Sequence, residues 1–352
     1  MNQEHDIGVT LLPIDLRIRD GEYFVVLAEV PRDNLRDPFL LDSLAQRFNI
    51  ADISKTTAEE QEVLVRPIHY DPDDTRIKFV PLDIFLSDFQ DRNTDEKSLN
   101  FIFHMSRCGS TLVTQMLATV DRFYVVSEPT IVLAILNPMM ILPDNISRRQ
   151  LLKAAINAIC AGKPDHCERI FIKFRSWNIL FIDEILNLYP NVRWMFNHRN
   201  GLEVLESVLR DPPGWMRSRH TLASFFAPVL NLSEQEIKSL SDGEYATRLL
   251  GTFCKMAESQ KSQRGLFLDY VYITNNLPLL LNSTWNLALT DVKMQEMSRR
   301  TKIYSKDPQK IKVFEPDSEK KRGLISEENR KYAEKFVEFE RKKLIAHQSN
   351  RS

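Results

Sequence analysis

Residues 106–112 combine the residue types of an anion-binding loop: one guanidinium, one glycine and two successive hydroxyls. The order is Ser106, Arg107, Cys108, Gly109, Ser110, Thr111 and Leu112. An apolar run at 101–103 precedes the loop, and an apolar stretch of helical character at 112–120 follows it. N–H groups at a helix N-terminus bind anions, and a glycine lets the backbone approach a phosphate closely. The segment therefore predicts an anion site at a turn between a strand and a helix.

The loop departs from the phosphate-binding loop of nucleoside-triphosphate enzymes. That loop has a glycine, four further residues, and then glycine, lysine and a hydroxyl residue. Here His104 stands at the position of the first glycine, and Ser110 stands at the position of the lysine. The cation is Arg107, on the N-terminal side of Gly109. The ligand of this loop therefore depends on which residues the fold brings beside it.

The composition is that of a globular protein without a dominant charge. The 352 residues are 43% hydrophobic and 27% charged, with a net charge of −1. This length allows a large core in one large or two unequal domains. The charge balance gives no reason to expect nucleic acid or a membrane surface as a partner. Any anion site must therefore be built locally from a few basic residues.

The cysteine spacing and the lengths of the apolar stretches indicate in which cellular compartment the protein resides. Cys108, Cys160, Cys167 and Cys254 have no CxxC spacing, and we expect reduced thiols and no metal site. The first residues lack a secretory pattern, and the most apolar stretch, 130–142, is too short to span a bilayer. We therefore expect a cytoplasmic protein.

Residues 1–95 are predicted to form an accessory α+β region, and residues 96–352 to form the main domain. Within the first region the patterns predict strands at 9–18, 23–29, 62–68 and 76–80, a helix at 38–47 and a polar linker at 91–97.

From residue 100 onward, strand and helix patterns alternate. Strands are predicted at 101–105, 124–126, 170–174, 192–197 and 265–270. Helices are predicted at 111–120, 148–161, 177–188, 202–209 and 243–259, with a helical tail at 327–346. The strands are continuously apolar, which is typical of a parallel sheet covered by helices on both faces. The sequence therefore predicts a three-layer α/β domain with a P-loop-type parallel sheet.

Polar residues follow the predicted strands at their carboxyl ends, where ligands bind in such sheets. Because these ends meet at one edge of the sheet, three or four cations, a carboxylate and several hydroxyls would converge there. This set predicts a site for a ligand with more than one phosphate-like group. Its members, in chain order, are Arg107, Ser110, Thr111, Glu128, Lys173, Arg175, Arg199 and Ser207.

Taken in order, these motifs resemble the P-loop sulfotransferases, which use 3′-phosphoadenosine 5′-phosphosulfate (PAPS) as sulfuryl donor. Residues 106–112 are similar to the 5′-phosphosulfate loop of that family. Residues 189–194, followed by Arg199 and Ser207, are similar to its 3′-phosphate signature. The sequence Lys321, Arg322, Gly323 resembles the Arg-Lys-Gly element of cytosolic members. The ordered motifs cover residues 100–210 and are most similar to tyrosylprotein and bacterial-type members.

The resemblance implies a role for each matching residue. Glu128 would accept the proton of the acceptor, while Arg107 and Lys173 would neutralise charge on the leaving 5′-phosphate. Such transfers depend mainly on positioning and charge stabilisation. The residues implied in binding the donor are Arg107, Cys108, Gly109, Ser110, Thr111, Arg199, Ser207, Lys321, Arg322 and Gly323.

Two departures from the family pattern bear on the chemistry. Cys108 and Ser110 replace the commoner serine and threonine of the loop, and Cys108 retains its backbone N–H. Arg175 stands where many cytosolic members carry a catalytic histidine. This replacement leaves Glu128 as the base and disfavours an aryl- or steroid-type assignment.

Two other functions remain open from the sequence. Asp269 follows an apolar run and resembles a magnesium-holding aspartate, which would fit a P-loop kinase or another NTP-dependent phosphotransferase. A non-catalytic nucleotide-binding scaffold would instead show a collapsed rim, with Glu128 turned away from Arg107.

The acceptor is predicted only as a small molecule or peptide with a hydroxyl or amine group. Residues 211–228 are predicted to form a mobile loop over the site, and the basic residues at 217–220 suit an acidic acceptor. The residues after 130 and the N-terminal region are further candidates for setting this specificity.

Overall fold

The computed structural model describes residues 8–31, 35, 38–41, 44, 48, 74–261, 264–307, 311–314 and 317–349. The N-terminal part contains a three-stranded antiparallel sheet of β1 (Val9–Arg19), β2 (Glu22–Pro31) and β3 (Ile77–Pro81), followed by helix α1 (Leu82–Phe89). The predicted α+β character of this part is confirmed. The strand predicted at 62–68 lies outside the described residues.

The central element is a five-stranded sheet in which every paired neighbour is parallel. Its strand order is β5-β6-β4-β7-β8, so the strand that enters the predicted anion loop lies in the middle. The strands are β4 (Leu99–His104), β5 (Phe123–Ser127), β6 (Arg169–Lys173), β7 (Arg193–His198) and β8 (Gly265–Asp269). The five predicted strands of the main domain are confirmed.

Helices connect these strands and continue beyond the last one. Before β8 they are α2 (Ser110–Leu117), α3 (Thr130–Leu136), α4 (Arg148–Ala161), α5 (Ile182–Leu188), α6 (Gly201–Arg210), α7 (Gly214–Arg217), α8 (Ala223–Leu230), α9 (Glu234–Ser239) and α10 (Asp242–Ser259). After β8 they are α11 (Tyr270–Trp285), α12 (Asp291–Arg299), α13 (Ser318–Leu324), α14 (Glu327–Tyr332) and, beyond a π-helical turn at Ala333–Glu338, α15 (Phe339–Ser349).

The two faces of the central sheet pack into two separate hydrophobic cores. On β4, Phe101 and Phe103 belong to one core, while Ile102 belongs to the other. Successive side chains of a strand point to opposite faces, so an apolar run fills both cores at once. Helices α4 and α10 contribute to the first core, and α2 and α11 to the second. This arrangement is the predicted three-layer α/β fold.

The N-terminal sheet packs against the main domain. Leu12 and Ile14 of β1 are fully buried in the same core as Phe101 and Phe103. The hydroxyl of Thr130, at the start of α3, donates a hydrogen bond of 2.6 Å to the carbonyl oxygen of Ile14. The division into units 1–95 and 96–352 stays a prediction.

Two sequence predictions need correction. The helix predicted at 177–188 begins as a 3₁₀ helix, Ser176–Phe181, before it continues as α5. The segment 211–228, predicted as a mobile loop, contains helices α7 and α8. Trp215 of α7 is only 1% exposed, and its backbone carbonyl accepts a hydrogen bond from the buried Tyr245 hydroxyl. The prolines and glycine at 212–214 suggest a loop, but burial of this tryptophan fixes the segment.

No helix among the described residues is long and apolar enough to cross a lipid bilayer. The four cysteines, all described, are buried, and none forms a disulfide among the described residues.

Candidate active site

The predicted anion loop leaves the central strand through an unusual backbone path. Ser106, Arg107 and Gly109 have φ angles of 83°, 49° and 87°, in the left-handed region. Helix α2 then begins at Ser110, and no side chain caps its first turn. The first N–H groups of a helix lack partners within the helix. The loop therefore presents backbone donors and a helix N-terminus to the space beyond the sheet.

Gly109 permits a close contact with Tyr270, the first residue of α11. A Cβ built on Gly109 would lie 2.6 Å from the Tyr270 ring, far inside van der Waals contact. The Arg199 guanidinium lies over the Tyr270 ring, with its central carbon 4.1 Å from the centre of that ring. Tyr270 thus lies between the loop and Arg199.

Glu128 lies in an ion-pair network at the ends of β5 and β6. The Lys173 ammonium is 2.9 Å from Oε1 of Glu128, and Nε of Arg175 is 3.1 Å from Oε2. Lys173 is fully buried, and its ammonium also donates to the Thr111 hydroxyl over 3.4 Å. Burial alone would raise the pKa of Glu128, but the attraction of Lys173 and Arg175 outweighs it and lowers the pKa to about 2. The carboxylate is therefore ionised.

Arg107 points toward a different carboxylate. Its guanidinium forms an ion pair with Asp211 and donates a hydrogen bond of 2.8 Å to the backbone carbonyl of that residue. This contact ties the anion loop to the start of the segment that carries α7. The sequence did not predict the Arg107–Asp211 pair, because Asp211 follows a helix rather than a strand.

Arg199 lies at the end of β7 in a largely buried position, with 7% of its surface exposed. Its Nε is 2.7 Å from Oε2 of Glu203, and its Nη2 donates to the Ser318 hydroxyl over 3.1 Å. The Asp317 carboxylate is 3.8 Å away and also pairs with the Lys321 ammonium at 2.9 Å. Arg199 and Lys321 therefore form a cation pair that two carboxylates partly compensate.

The remaining residues predicted to bind the donor differ in position. The Ser207 hydroxyl donates to the Glu203 carbonyl one helical turn back, at 2.9 Å. Nε of Arg322 lies 3.6 Å from Oε1 of Glu203. A Cβ on Gly323 would meet no atom within 4 Å. Ser207 and Lys321 line the cavity described next, whereas Arg322 and Gly323 are not among its lining residues, so their predicted roles stay predictions.

A cavity of about 630 Å³ joins the two predicted phosphate-binding regions. Its volume is in the range of small-molecule sites. The anion loop, Glu128 and Arg175 line it together with Arg199, Ser207 and Lys321. Lys173 is not among the lining residues and reaches the cavity only through Glu128 and Thr111. The cavity shows that the rim is not collapsed, but Arg107 pairs with Asp211 and not with Glu128, so the scaffold hypothesis stays open.

Three buried groups near the rim are held neutral. Burial raises the pKa of the Cys108 thiol to about 12, and its Sγ donates to the carbonyl of Asn197. Burial also lowers the pKa of His104 and of His198 to about 3. Nδ1 of His104 accepts a hydrogen bond from the backbone N–H of Ser106, so this histidine braces the loop.

The cavity-lining residues that sequence reasoning missed include Tyr270, Lys306 and Asp317. Tyr270 directly follows β8, so the rule that ligands bind past strand ends was a signal for it. Lys306 and Asp317 lie far from any predicted strand, and no motif marks them.

Asp269, the candidate magnesium ligand, is occupied by protein groups. Its Oδ2 is 2.6 Å from Nη1 of Arg341, and its Oδ1 accepts from the N–H of Val271 at the start of α11. Asp269 is also absent from the cavity lining among the described residues. These contacts give Asp269 a structural role at a helix N-terminus.

No protein-family model and no curated protein sequence matches the chain. Among solved structures, it is similar to the sulfotransferase domain of the Synechococcus PCC 7002 olefin synthase, at 14% identity and a TM-score of 0.42, over 71% of this chain and 98% of that domain. It is also similar to sulfotransferase STF9 from Mycobacterium avium, at 13% identity and a TM-score of 0.43, over 87% of this chain and 97% of that protein. A third similar structure is mouse sulfotransferase SULT7A1 complexed with PAP, at 10% identity and a TM-score of 0.37, over 77% of this chain and 96% of that protein. The function of this chain must be argued from its own residues.

Proposed function

We propose that this protein is a PAPS-dependent sulfotransferase that acts on a hydroxyl or amine acceptor. One observation carries the proposal: the anion loop, Glu128 and the Arg199–Lys321 cation pair line a single cavity. The sequence motifs resemble two phosphate-binding elements of one family, and such elements serve one nucleotide only if they face the same space.

The residues present fit the two anionic ends of this donor. At one end, the uncapped N-terminus of α2 and the hydroxyls of Ser110 and Thr111 would hold the 5′-phosphosulfate. At the other end, Arg199, Lys321 and Ser207 would hold the 3′-phosphate. A guanidinium binds a phosphate through two parallel hydrogen bonds, which suits Arg199 to this task.

The chain supplies a proton acceptor and fixed positive charge between these ends. When bound, PAPS supplies the sulfuryl group, which is transferred to the acceptor oxygen or nitrogen. Glu128 would take the proton that the acceptor loses, because its carboxylate is ionised and lines the cavity. The two cations that lower its pKa also lower its basicity, so its position contributes more than its strength as a base. Both of its oxygens are fixed by cations, which orients the carboxylate without a metal ion.

Lys173 would act on the donor end through Thr111. Its ammonium is buried behind the loop and donates to the Thr111 hydroxyl, which is thereby polarised toward the cavity. The Lys173 charge lies at the N-terminus of α2, where it would favour negative charge on the leaving phosphate. Arg107 would add a second charge there when its guanidinium is released from Asp211.

Binding of adenosine 3′,5′-bisphosphate (PAP), measured by calorimetry, tests the proposal. We expect a saturable isotherm without magnesium, and a loss of about 10- to 100-fold in affinity for Arg199→Gln, since a charge-assisted pair is removed. The matched control is Arg248→Gln: Arg248 also pairs with a glutamate one turn away, Glu244, but does not line the cavity. Magnesium-dependent ATP binding with no PAP binding would instead favour a phosphotransferase.

A further inference from the structure

Arg175 has an unsatisfied end that faces the cavity. Its Nε pairs with Glu128, but its Nη1 and Nη2 donate no hydrogen bond to any of the described residues. The side chain is 27% exposed and lines the cavity. A guanidinium in this position can bind a second oxyanion next to the one that it already holds.

Lys306 is a second cavity-lining cation without a carboxylate partner in the described part of the chain. Burial and the nearby charge of Arg107 lower the pKa of Lys306 to about 8, so the protein destabilises its charged form. Backbone hydrogen bonds hold this segment on both sides: Tyr304 donates to Lys312, and Phe314 donates to Lys302. The backbone that carries Lys306 is therefore held by the fold, and a bound oxyanion would add to the attraction that Asp211 and Glu128 already exert on its charge.

The proposed donor leaves these two cations unused. Its 3′-phosphate is assigned to Arg199, Lys321 and Ser207, and its 5′-phosphosulfate to the anion loop with Lys173 behind it. Arg175 and Lys306 are instead both related to Glu128: Arg175 pairs with that carboxylate, and the charge of Glu128 also acts on Lys306. Glu128 marks the place where the acceptor must present its hydroxyl or amine.

We propose that Arg175 and Lys306 form an oxyanion-binding subsite for the acceptor, which carries a carboxylate, sulfate or phosphate close to its reacting group. This inference rests on the proposed function for the identity of the reaction, but not for the existence of the subsite. A neutral acceptor would leave the Nη groups of Arg175 and the Lys306 ammonium without a bound oxyanion in a partly buried space, which costs affinity. The subsite thus selects acceptors by charge.

Inorganic sulfate is the probe, titrated by calorimetry into protein saturated with PAP and, separately, with PAPS at constant ionic strength. We expect saturable sulfate binding in both complexes, because the subsite is separate from the donor. Arg175→Gln and Lys306→Met should each weaken sulfate binding at least tenfold while PAP affinity changes less than threefold. Lys302→Met is the matched control, a lysine of the same segment that does not line the cavity.

The outcomes separate the two proposals. Sulfate binding to the PAP complex that disappears in the PAPS complex would assign these cations to the sulfonate of the donor and overturn the acceptor subsite. Sulfate binding that survives in the Arg175→Gln/Lys306→Met double variant would overturn it as well. If PAP fails to bind but free protein binds sulfate through these two residues, the subsite stands and the donor assignment falls.

Discussion

Lys173 and Glu128 are joined twice, once through their side chains and once through their backbones. The ammonium and Oε1 are 2.9 Å apart, and the backbone N–H of Glu128 donates to the Lys173 carbonyl over 2.7 Å. Glu128 also has a φ of 57°, in the left-handed region that costs energy for a residue with a side chain. A buried ion pair is weak evidence for stability, because desolvation opposes it. The strained backbone and the buried pair together support the proposal that Glu128 acts as the base.

Replacing the proposed base should separate chemistry from donor binding. We expect Glu128→Gln to lower kcat by about 10²–10⁴, since general-base catalysis is lost, while PAP affinity stays within about threefold. The variant should also unfold more easily, by up to about 3 kcal/mol, because Lys173 keeps a buried charge without its partner. PAP release from PAPS, with an acceptor found by screening, measures kcat, and urea denaturation measures stability. Glu244→Gln, which breaks an ion pair outside the cavity, is the control; a kcat unchanged in Glu128→Gln would remove the base assignment.

Removing a competing carboxylate should tighten donor binding. Asp317 pairs with Lys321 and lies 3.8 Å from Arg199, in the space where the 3′-phosphate is proposed to bind. Asp317→Asn should therefore increase PAP affinity by about three- to tenfold, since one repulsive charge disappears. Calorimetry checks this, with Glu327→Gln, an exposed acid at the start of neighbouring α14, as the control. Weaker PAP binding in Asp317→Asn would show that this carboxylate positions the two cations instead.

The glycine of the anion loop should not tolerate a methyl group. Gly109→Ala combines a left-handed backbone with a contact of 2.6 Å to the Tyr270 ring, so we expect PAP binding to fall at least tenfold. Gly21→Ala is a matched control, because Gly21 has a φ of 82° and open space around its added Cβ. Both variants should lose roughly 1 kcal/mol from backbone strain, measured by urea denaturation. Equal PAP affinity in the two variants would mean that the Tyr270 contact is unimportant.

Stability should fall as the pH is lowered from 7 to 5.5. The pKa of His104 and of His198 is about 3 in the native state, so unfolding takes up a proton at each below pH 6.5. Together the two histidines lower the free energy of unfolding by about 2 to 3 kcal/mol over this range. Burial raises the pKa of Asp15 to about 6, and protonation of this group increases the free energy of unfolding by roughly 1 kcal/mol over the same range.

Urea denaturation at the two pH values measures the net loss, which we expect to be about 2 kcal/mol. His198→Phe should reduce the loss by about half of the histidine contribution, since one titrating group is removed and its ring neighbour Phe196 can pack against the new side chain. An unchanged loss in this variant would show that His198 is not responsible for the pH dependence.

The sequence by itself determined the central sheet, the loop after its middle strand and the residues past the strand ends. These features are local: apolar runs make buried parallel strands, and the glycine with two hydroxyls marks the turn into α2. Tertiary structure decided which charges meet. Arg107 pairs with Asp211, and Lys173 lies behind the loop rather than in the cavity. Lys306 and Asp317 line the cavity although no sequence motif marks them. Such pairings depend on how distant segments pack, and spacing along the chain carries no information about that packing.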